Sequence, residues 1–260
     1  MTTAPLPPVS LDGLPEPAPG AVAALAPTGT LRAAINMGNF LLVTGTDEHG
    51  DPVGVSPGMA AALAHTLGVG LELVHFPSPG SVADAGTEGV WDIGNIGAEP
   101  ARAEFIDFTA AYAEIDATIM VRSDSAITSF ADVDQPGVRI AAKARAAYCL
   151  WLERNLNHAE LVTFASHDDT FAAFGDDDSL TVYAGLRAML SDQSASLPGS
   201  QVLADRFTAV QQAIGTPKDR DPAGSDYLRA FVEAAKTQGV VAGLIEHHGV
   251  DALNVAPAAQ

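Results

Sequence analysis

The feature that most constrains the fold of this chain is a repeated alternation of apolar strand patterns with amphipathic helix patterns. Residues 31–37 and 71–76 have strand patterns, and residues 56–67 between them carry apolar side chains at helical spacing. We predict that this helix begins with Ser56 as N-cap and Pro57 at its first position. Connections of this length join parallel strands, so the sequence predicts an α/β fold.

A second set of alternating elements follows in the middle of the chain. It consists of a strand at 138–142, a helix at 144–156, and strands at 161–164 and 180–184. Two further strand patterns, 119–122 and 208–214, lie where the chain could cross between the two sets. Two α/β units that face each other form a cleft, and ligands of open α/β sheets bind at the carboxyl ends of strands.

One stretch, WDIGNIGAEPARAEFIDFTAAY at 91–112, has residues suited to binding a small anion. A strand leads into the small-residue loop 95–97, and Pro100 is placed to start a helix with Arg102 in its first turn. The five N–H donors of an arginine, together with free backbone N–H groups, match a carboxylate. The alternative is an exposed helix arginine in an ordinary loop.

Charge and cysteine content limit the classes of partner. The net charge of −19 argues against nucleic acid and anionic membranes, and requires a local basic site for any anionic ligand. The single cysteine, Cys149, excludes an internal disulfide and is expected to be a buried apolar residue. The adjacent pair His247–His248 does not face one site on a helix, so we expect neither a metal nor a cofactor.

The first 28 residues are rich in proline and alanine, and no lysine or arginine precedes Arg32. A secretory signal needs a positive segment before an apolar one, so we interpret residues 1–28 as a flexible tail. No apolar run approaches the ~18 residues of a membrane span. As written, the chain is expected to be cytoplasmic, and periplasmic or extracellular only if the true start lies upstream.

Taken together, these segments resemble the two-lobed type II periplasmic-binding-protein fold, specifically solute-binding protein family 3, which includes amino-acid receptors of ABC importers. The resemblance implies two open, mostly parallel sheets joined by a two-strand hinge, with lobe 1 at 29–120 plus 212–260 and lobe 2 at 121–211. The segments that carry it are GTLRAAINMGNF at 29–40, GVSPGMAAALAHTLG at 54–68, the 91–112 stretch, ADVDQPGVRIAAKARAAYCL at 131–150 and the helical pair within 215–249.

The family pattern can be placed on individual residues of this sequence. In lobe 1 it implies an apolar wall, a loop with hydrogen-bonding groups and a carboxylate-binding arginine: Phe40, Asn95, Gly97 and Arg102. In lobe 2, Arg145, Ala146 and Ala147 stand where the family has a Gly-Ser/Thr-Thr turn, so the backbone donors remain and the hydroxyls are lost. Tyr183 and Gln211 are further candidates on the lobe 2 or hinge side.

A second departure concerns the ligand. Amino-acid receptors of the family place a carboxylate after the fourth lobe 2 strand, whereas residues 181–187 read TVYAGLR, without an acid. A buried ammonium without a counter-charge is strongly disfavoured. The resemblance therefore implies a monomeric solute-binding protein that closes its lobes on a small organic anion with a carboxylate, with an ABC permease as a further partner.

Two alternatives remain open. The fold also resembles dehydratases of the cyclohexadienyl type, which act on prephenate or arogenate and need a positioned general acid or base. Candidates are Glu99, Lys143, His167 and Lys218, none in a recognisable pair, and Glu99 and Lys143 are also readily explained as surface charges. The third option is a cytosolic sensor or scaffold that retains the fold without transport.

Overall fold

The computed structural model describes residues 8–259, which form two compact units. Unit 1 contains the described residues up to Glu114 together with those from Gln211 onward, and unit 2 contains Ile115–Val210. The chain passes from unit 1 to unit 2 after Glu114, six residues before the predicted boundary after residue 120. It returns to unit 1 at Gln211, one residue before the predicted start of that segment at residue 212. The reason is a single strand of 17 residues, Ile106–Arg122, that continues from one unit into the other.

The elements follow in chain order. The first part of the chain forms α1 (Pro19–Leu25), β1 (Thr30–Asn36), β2 (Gly45–Thr46), β3 (Pro52–Val53), α2 (Val55–Leu67), β4 (Gly70–Phe76), α3 (Pro79–Asp84), β5 (Ile93–Gly97) and β6 (Ile106–Arg122). The middle forms β7 (Arg139–Lys143), α4 (Ala147–Asn155), β8 (Glu160–Phe164), α5 (His167–Asp176), β9 (Val182–Leu186), α6 (Arg187–Ser196) and β10 (Ser200–Val202). The last part forms β11 (Thr208–Pro217), α7 (Pro222–Thr237), α8 (Val240–His248) and β12 (Leu253–Val255).

Unit 1 is built on a sheet with the strand order β4-β1-β5-β11. β1 is parallel to both of its neighbours, and β11 runs antiparallel to β5. The hydrophobic residues of β1 and α2 are almost completely buried, among them Leu31, Ile35, Met59 and Leu63. This is the parallel arrangement that the alternating pattern predicts.

Unit 2 repeats the architecture with the order β6-β9-β7-β8, and β10 pairs with β6. β7 is parallel to β8 and β9, whereas β9 is antiparallel to β6. One side of this sheet is covered by a core that contains Phe174, Tyr183 and Leu190. Each unit therefore combines parallel central strands with an antiparallel neighbour that comes from a crossing strand.

The interpretation of residues 1–28 as a flexible tail is wrong for residues 19–25, and residues 1–7 lie outside the described residues. α1 buries Ala21, Ala24 and Leu25 and packs against α7. The two helices approach closely because Gly224 of α7 has no side chain: a Cβ there would lie 3.0 Å from the Ala24 Cβ. The small apolar residues of AVAALA thus form a helix face that the rest of unit 1 covers.

Three predicted helix starts also need correction. α2 begins after Gly54, not with Ser56 as N-cap, because Gly54 adopts φ 148° and a Cβ there would lie 2.3 Å from the Leu42 carbonyl oxygen. Pro100 does not start a helix; only a short 3-10 turn follows, over Arg102–Glu104. α4 starts at Ala147, three residues later than predicted, since Arg145 has a left-handed φ of 62°.

No helix among residues 8–259 is long and apolar enough to cross a lipid bilayer.

Candidate functional site

Residues 95–97, predicted as a loop, are the last residues of β5 because they pair with β1 and β11, and the loop begins after Gly97 at the carboxyl end of this central strand of unit 1. Asn95 of β5 stands opposite Ile35 of β1 on one side and Ile214 of β11 on the other, and the strand ends at Gly97. β1 ends at the same edge of the sheet because the two strands are parallel. This edge is the position at which open α/β sheets bind ligands.

Arg102 is fixed against this strand end and is not an exposed helix residue. Its side chain is 5% exposed, and its Nη1 donates a hydrogen bond of 2.6 Å to the Gly97 carbonyl. The backbone N–H of Arg102 donates to the Glu99 carbonyl at 2.9 Å. These two hydrogen bonds link residues within the loop 97–102 to one another and hold the Arg102 guanidinium in the interior of unit 1.

Glu99 is also buried, which corrects its interpretation as an exposed loop residue. Its residual exposure is 8%, so the same loop carries a buried carboxylate as well as a buried guanidinium. Sequence reasoning missed this because the flanking Pro100 and alanines are typical of an exposed turn. A loop with both charges could recognise a ligand that itself carries both.

The structure brings four of the predicted residues of unit 1 together at the end of β5, namely Asn95, Gly97, Arg102 and Gln211. Gly97 pairs with Gln212, and the N–H of Ala98 donates to the Gln211 carbonyl at 2.8 Å. The Gln211 side chain donates to Glu114 at 3.0 Å.

The side chains of Asn95 and Phe40 differ in exposure. Asn95 is 1% exposed, and its Nδ2 donates to the Ser56 carbonyl at 2.9 Å. Phe40 lies on the turn after β1 and is 42% exposed.

A buried ion network, which sequence reasoning missed, lies just before β5. Asp92 is fully buried and accepts hydrogen bonds from Arg32 and from Arg220, whose nitrogens lie 2.8 Å and 2.7 Å from its Oδ1. The hydrogen bond to Asp92 raises the pKa of Arg32. This network joins β1 and the segment before α7 to the start of β5, so it fixes the strand that carries the candidate site.

Unit 2 places its predicted residues on the loop between β7 and α4. Arg145 is exposed and has the only positive φ among the described non-glycine residues. Ala146 is the N-cap of α4, and its side chain has no group to accept a hydrogen bond from the first turn. Ala147 is the first helical residue, so the N-terminal N–H groups are available for an anion, as expected of an uncapped helix start.

Tyr183 is a core residue of unit 2. It lies in β9 opposite Ala141, is fully buried, and its ring centroid is 5.8 Å from that of Phe174. Its burial raises the pKa of the phenol. Cys149 is buried as predicted, and burial raises the pKa of its thiol to about 12, so the thiol stays protonated at neutral pH.

Two of the acid–base candidates come together in unit 2. His167 is the first residue of α5, and burial, followed by the charge of Lys143, lowers its pKa to about 4. The imidazole is therefore neutral at pH 7. Lys143 ends β7 and is half-buried, not a surface charge beside a helix. Glu99 and Lys218 belong to unit 1. No group of three or more metal-ligating side chains occurs in the described part of the chain.

A groove of about 500 Å³ is present elsewhere in unit 1, next to the β2–β3 hairpin and the end of α8. Its lining includes Asp51, Glu72 and His248. None of the predicted binding residues lines it, so the groove and the candidate loop are separate features of the unit.

The fold and the loop after β5 define a class of protein. The architecture is that of the two-lobed type II periplasmic binding proteins, in which parallel α/β sheets hold small solutes. The chain belongs to the bacterial extracellular solute-binding proteins, family 3, whose model matches residues 36–250.

Solved structures agree with this fold. A mutant of ArgBP from T. maritima superimposes with a TM-score of 0.68 at 18% identity, covering 89% of this chain and 100% of that one. AbpA from Streptococcus pneumoniae bound to L-arginine gives 0.68 at 19% identity, with 88% and 98% coverage. The ancestral amino-acid-binding protein AncCDT-1, described as a precursor of cyclohexadienyl dehydratase, gives 0.67 at 23% identity, with 87% and 98% coverage. No curated protein sequence matches this chain.

Proposed function

We propose that the solute of this protein is a small organic acid without an α-amino group, and that Arg102 binds its carboxylate. The observation that supports this most is the placement of Arg102, a guanidinium held by the Gly97 carbonyl at the end of β5. Residues 181–187 supply no acid, and the Arg187 guanidinium binds backbone carbonyls of residues 203–205. An ABC permease is the partner that fits a solute-binding protein of this family.

A second candidate is an α-amino acid, which the buried carboxylate of Glu99 favours. Glu99 lies in the same loop as Arg102 and is 8% exposed, so the loop could hold an ammonium as well as a carboxylate. Two similar structures hold bound amino acids, L-arginine in AbpA and lysine in a putative binding component of an ABC transporter from Wolinella succinogenes. The two candidates differ in one feature of the ligand, its α-amino group.

The deciding experiment is a thermal-shift and calorimetry screen with matched ligand pairs. Each pair differs only in the α-amino group: succinate and L-aspartate, glutarate and L-glutamate, 5-guanidinopentanoate and L-arginine. A ligand at 100 times its dissociation constant adds about 2.7 kcal/mol to the free energy of unfolding. Tighter binding of the amino-free member supports an organic acid, whereas binding of only the amino acids would overturn the proposal.

Replacing Arg102 tests the role of the guanidinium. Loss of one partner of a desolvated charge pair costs about 2–5 kcal/mol, so Arg102→Ala should weaken binding of the best ligand of the screen about 30-fold to several thousand-fold. Arg229→Ala is the matched control, because Arg229 is an exposed arginine of unit 1 that pairs with Asp107 and Asp226. Equal affinities of wild type and Arg102→Ala by calorimetry would remove Arg102 from the site.

The dehydratase alternative is tested in the same screen by adding prephenate and arogenate. AncCDT-1 is described as a precursor of such an enzyme, which motivates the comparison. Loss of either compound over time, at a rate proportional to protein concentration, would indicate an enzyme and contradict a purely binding function.

A further inference from the structure

The groove of unit 1 that lies apart from the candidate loop combines an apolar lining with acidic side chains. Its volume is about 500 Å³, which is within the range of small-molecule sites. The apolar lining comes from three elements, α2, β3 and β4, and consists of Val53, Pro57, Ala61, Leu71 and Leu73. Acidic side chains of the β2–β3 hairpin line it as well. A ligand of this groove therefore needs an apolar body and a group that matches negative charge.

Two carboxylates of the hairpin, Asp47 and Asp51, set the charge of the groove. Asp47 accepts hydrogen bonds from the N–H groups of Asp51 and His49 at 2.9 Å and 2.8 Å, which lower its pKa, so it is ionised at neutral pH. The Asp51 carboxylate forms no hydrogen bond or ion pair within residues 8–259. No lysine or arginine is among the described residues that line the groove. The groove therefore favours a cation.

The end of α8 adds a partial negative charge. α8 ends at His248, which lines the groove together with His247. The carboxyl end of a helix carries a partial negative charge that favours cations. Burial, followed by the neighbouring His247, lowers the pKa of His248, so this imidazole is neutral at pH 7 and does not repel a cation.

The start of α2 also borders the groove, but it does not provide an anion site there. A helix start binds anions through free backbone N–H groups. In α2 the Ser56 N–H donates to the Leu42 carbonyl at 3.0 Å, and Pro57 has no N–H. Two of the first three helical residues therefore offer no donor to a ligand.

The edge strand β4 supplies hydrogen-bond acceptors. Among the described strands it pairs only with β1, at the end of the sheet. The Gly70 N–H and the Phe76 carbonyl bond to residues 29 and 37, at the two ends of β1. Because backbone groups point alternately to the two sides of a strand, the carbonyls of Leu71 and Leu73 point away from β1. Both residues line the groove, so these carbonyls can accept hydrogen bonds from an ammonium group.

We propose that this groove is a second binding site of unit 1, for a small organic amine whose primary ammonium group is carried by an apolar body. The Asp51 carboxylate and the outward carbonyls of β4 are the acceptors for the ammonium, and the apolar body packs against Pro57 and Ala61. The net charge of −19 attracts such a cation to the molecule. The site goes beyond the proposed function and does not depend on the organic acid.

The charge preference is tested on the full chain with 4-phenylbutylammonium, 4-phenylbutanol and 4-phenylbutanoate, which share one apolar body and differ in charge. In NMR titrations we expect the ammonium probe to shift the amides of residues 52–61 and 71–73, with an affinity at least about 10-fold above that of the other two at these residues. Shifts by the ammonium probe confined to residues 95–102, or equal affinities of the three probes at the groove, would overturn the proposal. Binding of 4-phenylbutanoate at residues 95–102 would report on the proposed function alone.

Two variants test the position of the site. Asp51→Asn should weaken binding of the ammonium probe about 3- to 10-fold, because a partly exposed charge contributes modestly. Val53→Trp should abolish binding, because the larger side chain fills the groove, and circular dichroism checks that the variant folds. Glu88→Gln is the matched control, since Glu88 is an exposed carboxylate of unit 1 outside the groove. Unchanged affinity in Asp51→Asn, or an equal loss in Glu88→Gln, would refute the site.

An extended lysine-rich peptide is the competing occupant, because such a peptide can add a strand to the free edge of β4. A short peptide of alternating alanine and lysine tests it by hydrogen exchange. We expect the ammonium probe to bind, and the peptide to leave exchange of the Leu71 and Leu73 amides unchanged. A peptide that slows exchange of these amides, together with no binding of the ammonium probe, would assign the groove to strand addition and overturn the proposal.

Discussion

Asp92 shows how a single residue controls the strand that carries the candidate site. The carboxylate is fully buried between two arginines that come from positions 60 residues before it and 128 residues after it. Such a pair repays its desolvation only when both partners are present. In the sequence, WDIG is an ordinary strand start, and nothing local shows that its acid is an ion-network centre.

Removing the charge of Asp92 should therefore destabilise the protein strongly. We expect Asp92→Asn to lower the free energy of unfolding by about 3–5 kcal/mol, because two half-buried guanidinium groups lose the fully buried carboxylate that is their shared counter-charge. Asp107→Asn is the control: Asp107 pairs with Arg229, which is 45% exposed, and a surface pair contributes about 0–1 kcal/mol. Urea denaturation measures both, and similar losses in the two variants would contradict the importance of burial.

His167 makes stability depend on pH in a defined window. Its pKa of about 4 in the folded protein is below the value of about 6.5 in an unfolded chain, so the unfolded state binds more protons between these values. Stability from this residue is complete above about pH 6.5 and is lost as the pH falls toward 4. Asp134, with a pKa of about 2 set by backbone N–H donors of 158 and 159, acts only below this window.

The corresponding variant is His167→Gln. We expect the wild type to lose about 1–2 kcal/mol more than the variant when urea denaturation at about pH 7.5 is repeated at about pH 4.5. The comparison within each protein cancels any packing change that the substitution itself causes. Parallel pH dependences of the wild type and the variant would show that His167 titrates alike in the folded and unfolded states.

At the scale of elements, the helix and strand patterns predicted most of the helices and strands that form. They predicted the first residues of these elements less well. α7 and α8 form the helical pair that the resemblance implies within 215–249, and local signals set their ends, since Asp221 caps the start of α7 and Gly249 ends α8. α2 and α4 start elsewhere than predicted because a backbone conformation at Gly54 or Arg145 sets their first turn. β6 is much longer than the predicted strand at 119–122, and β11 and β12, which are distant in sequence, also pair with it.

α1 gives the element-scale prediction. Leu25 is fully buried in the contact of α1 with unit 1, so Leu25→Ala should cost about 2–5 kcal/mol of unfolding free energy. Val22→Ala, on the half-buried side of the same helix, should cost under about 1 kcal/mol. Thermal or urea denaturation distinguishes the two, and no effect of Leu25→Ala would restore the interpretation of this region as a tail.

At the scale of the whole molecule, the dominant property is the net charge of −19. Repulsion among the excess carboxylates disfavours the compact state, and salt screens it over a Debye length of about 10 Å at 0.1 M. An arginine that binds an anion must therefore act at short range. The negative electrostatic potential of the whole molecule therefore repels the anionic ligand that we propose.

Salt should consequently stabilise this protein near neutral pH. We expect the urea midpoint at pH 7 to be higher in about 0.3 M than in about 0.02 M NaCl, because screening reduces the repulsion. The effect should shrink near pH 4.4, the isoelectric point of the sequence, where little net charge remains to screen. A midpoint that falls with salt at pH 7 would indicate that attractive ion pairs outweigh the repulsion.

The sequence by itself determined the α/β class and the two sets of alternating elements. These depend on apolar periodicity and turn residues, which act over a few positions along the chain. Only the tertiary structure decided the burial of Asp92, Glu99 and Arg102, the packing of α1, and the hydrogen bond from Asn95 to Ser56. Each of those depends on partners tens of residues away, and a local pattern carries no information about which distant surface will cover it.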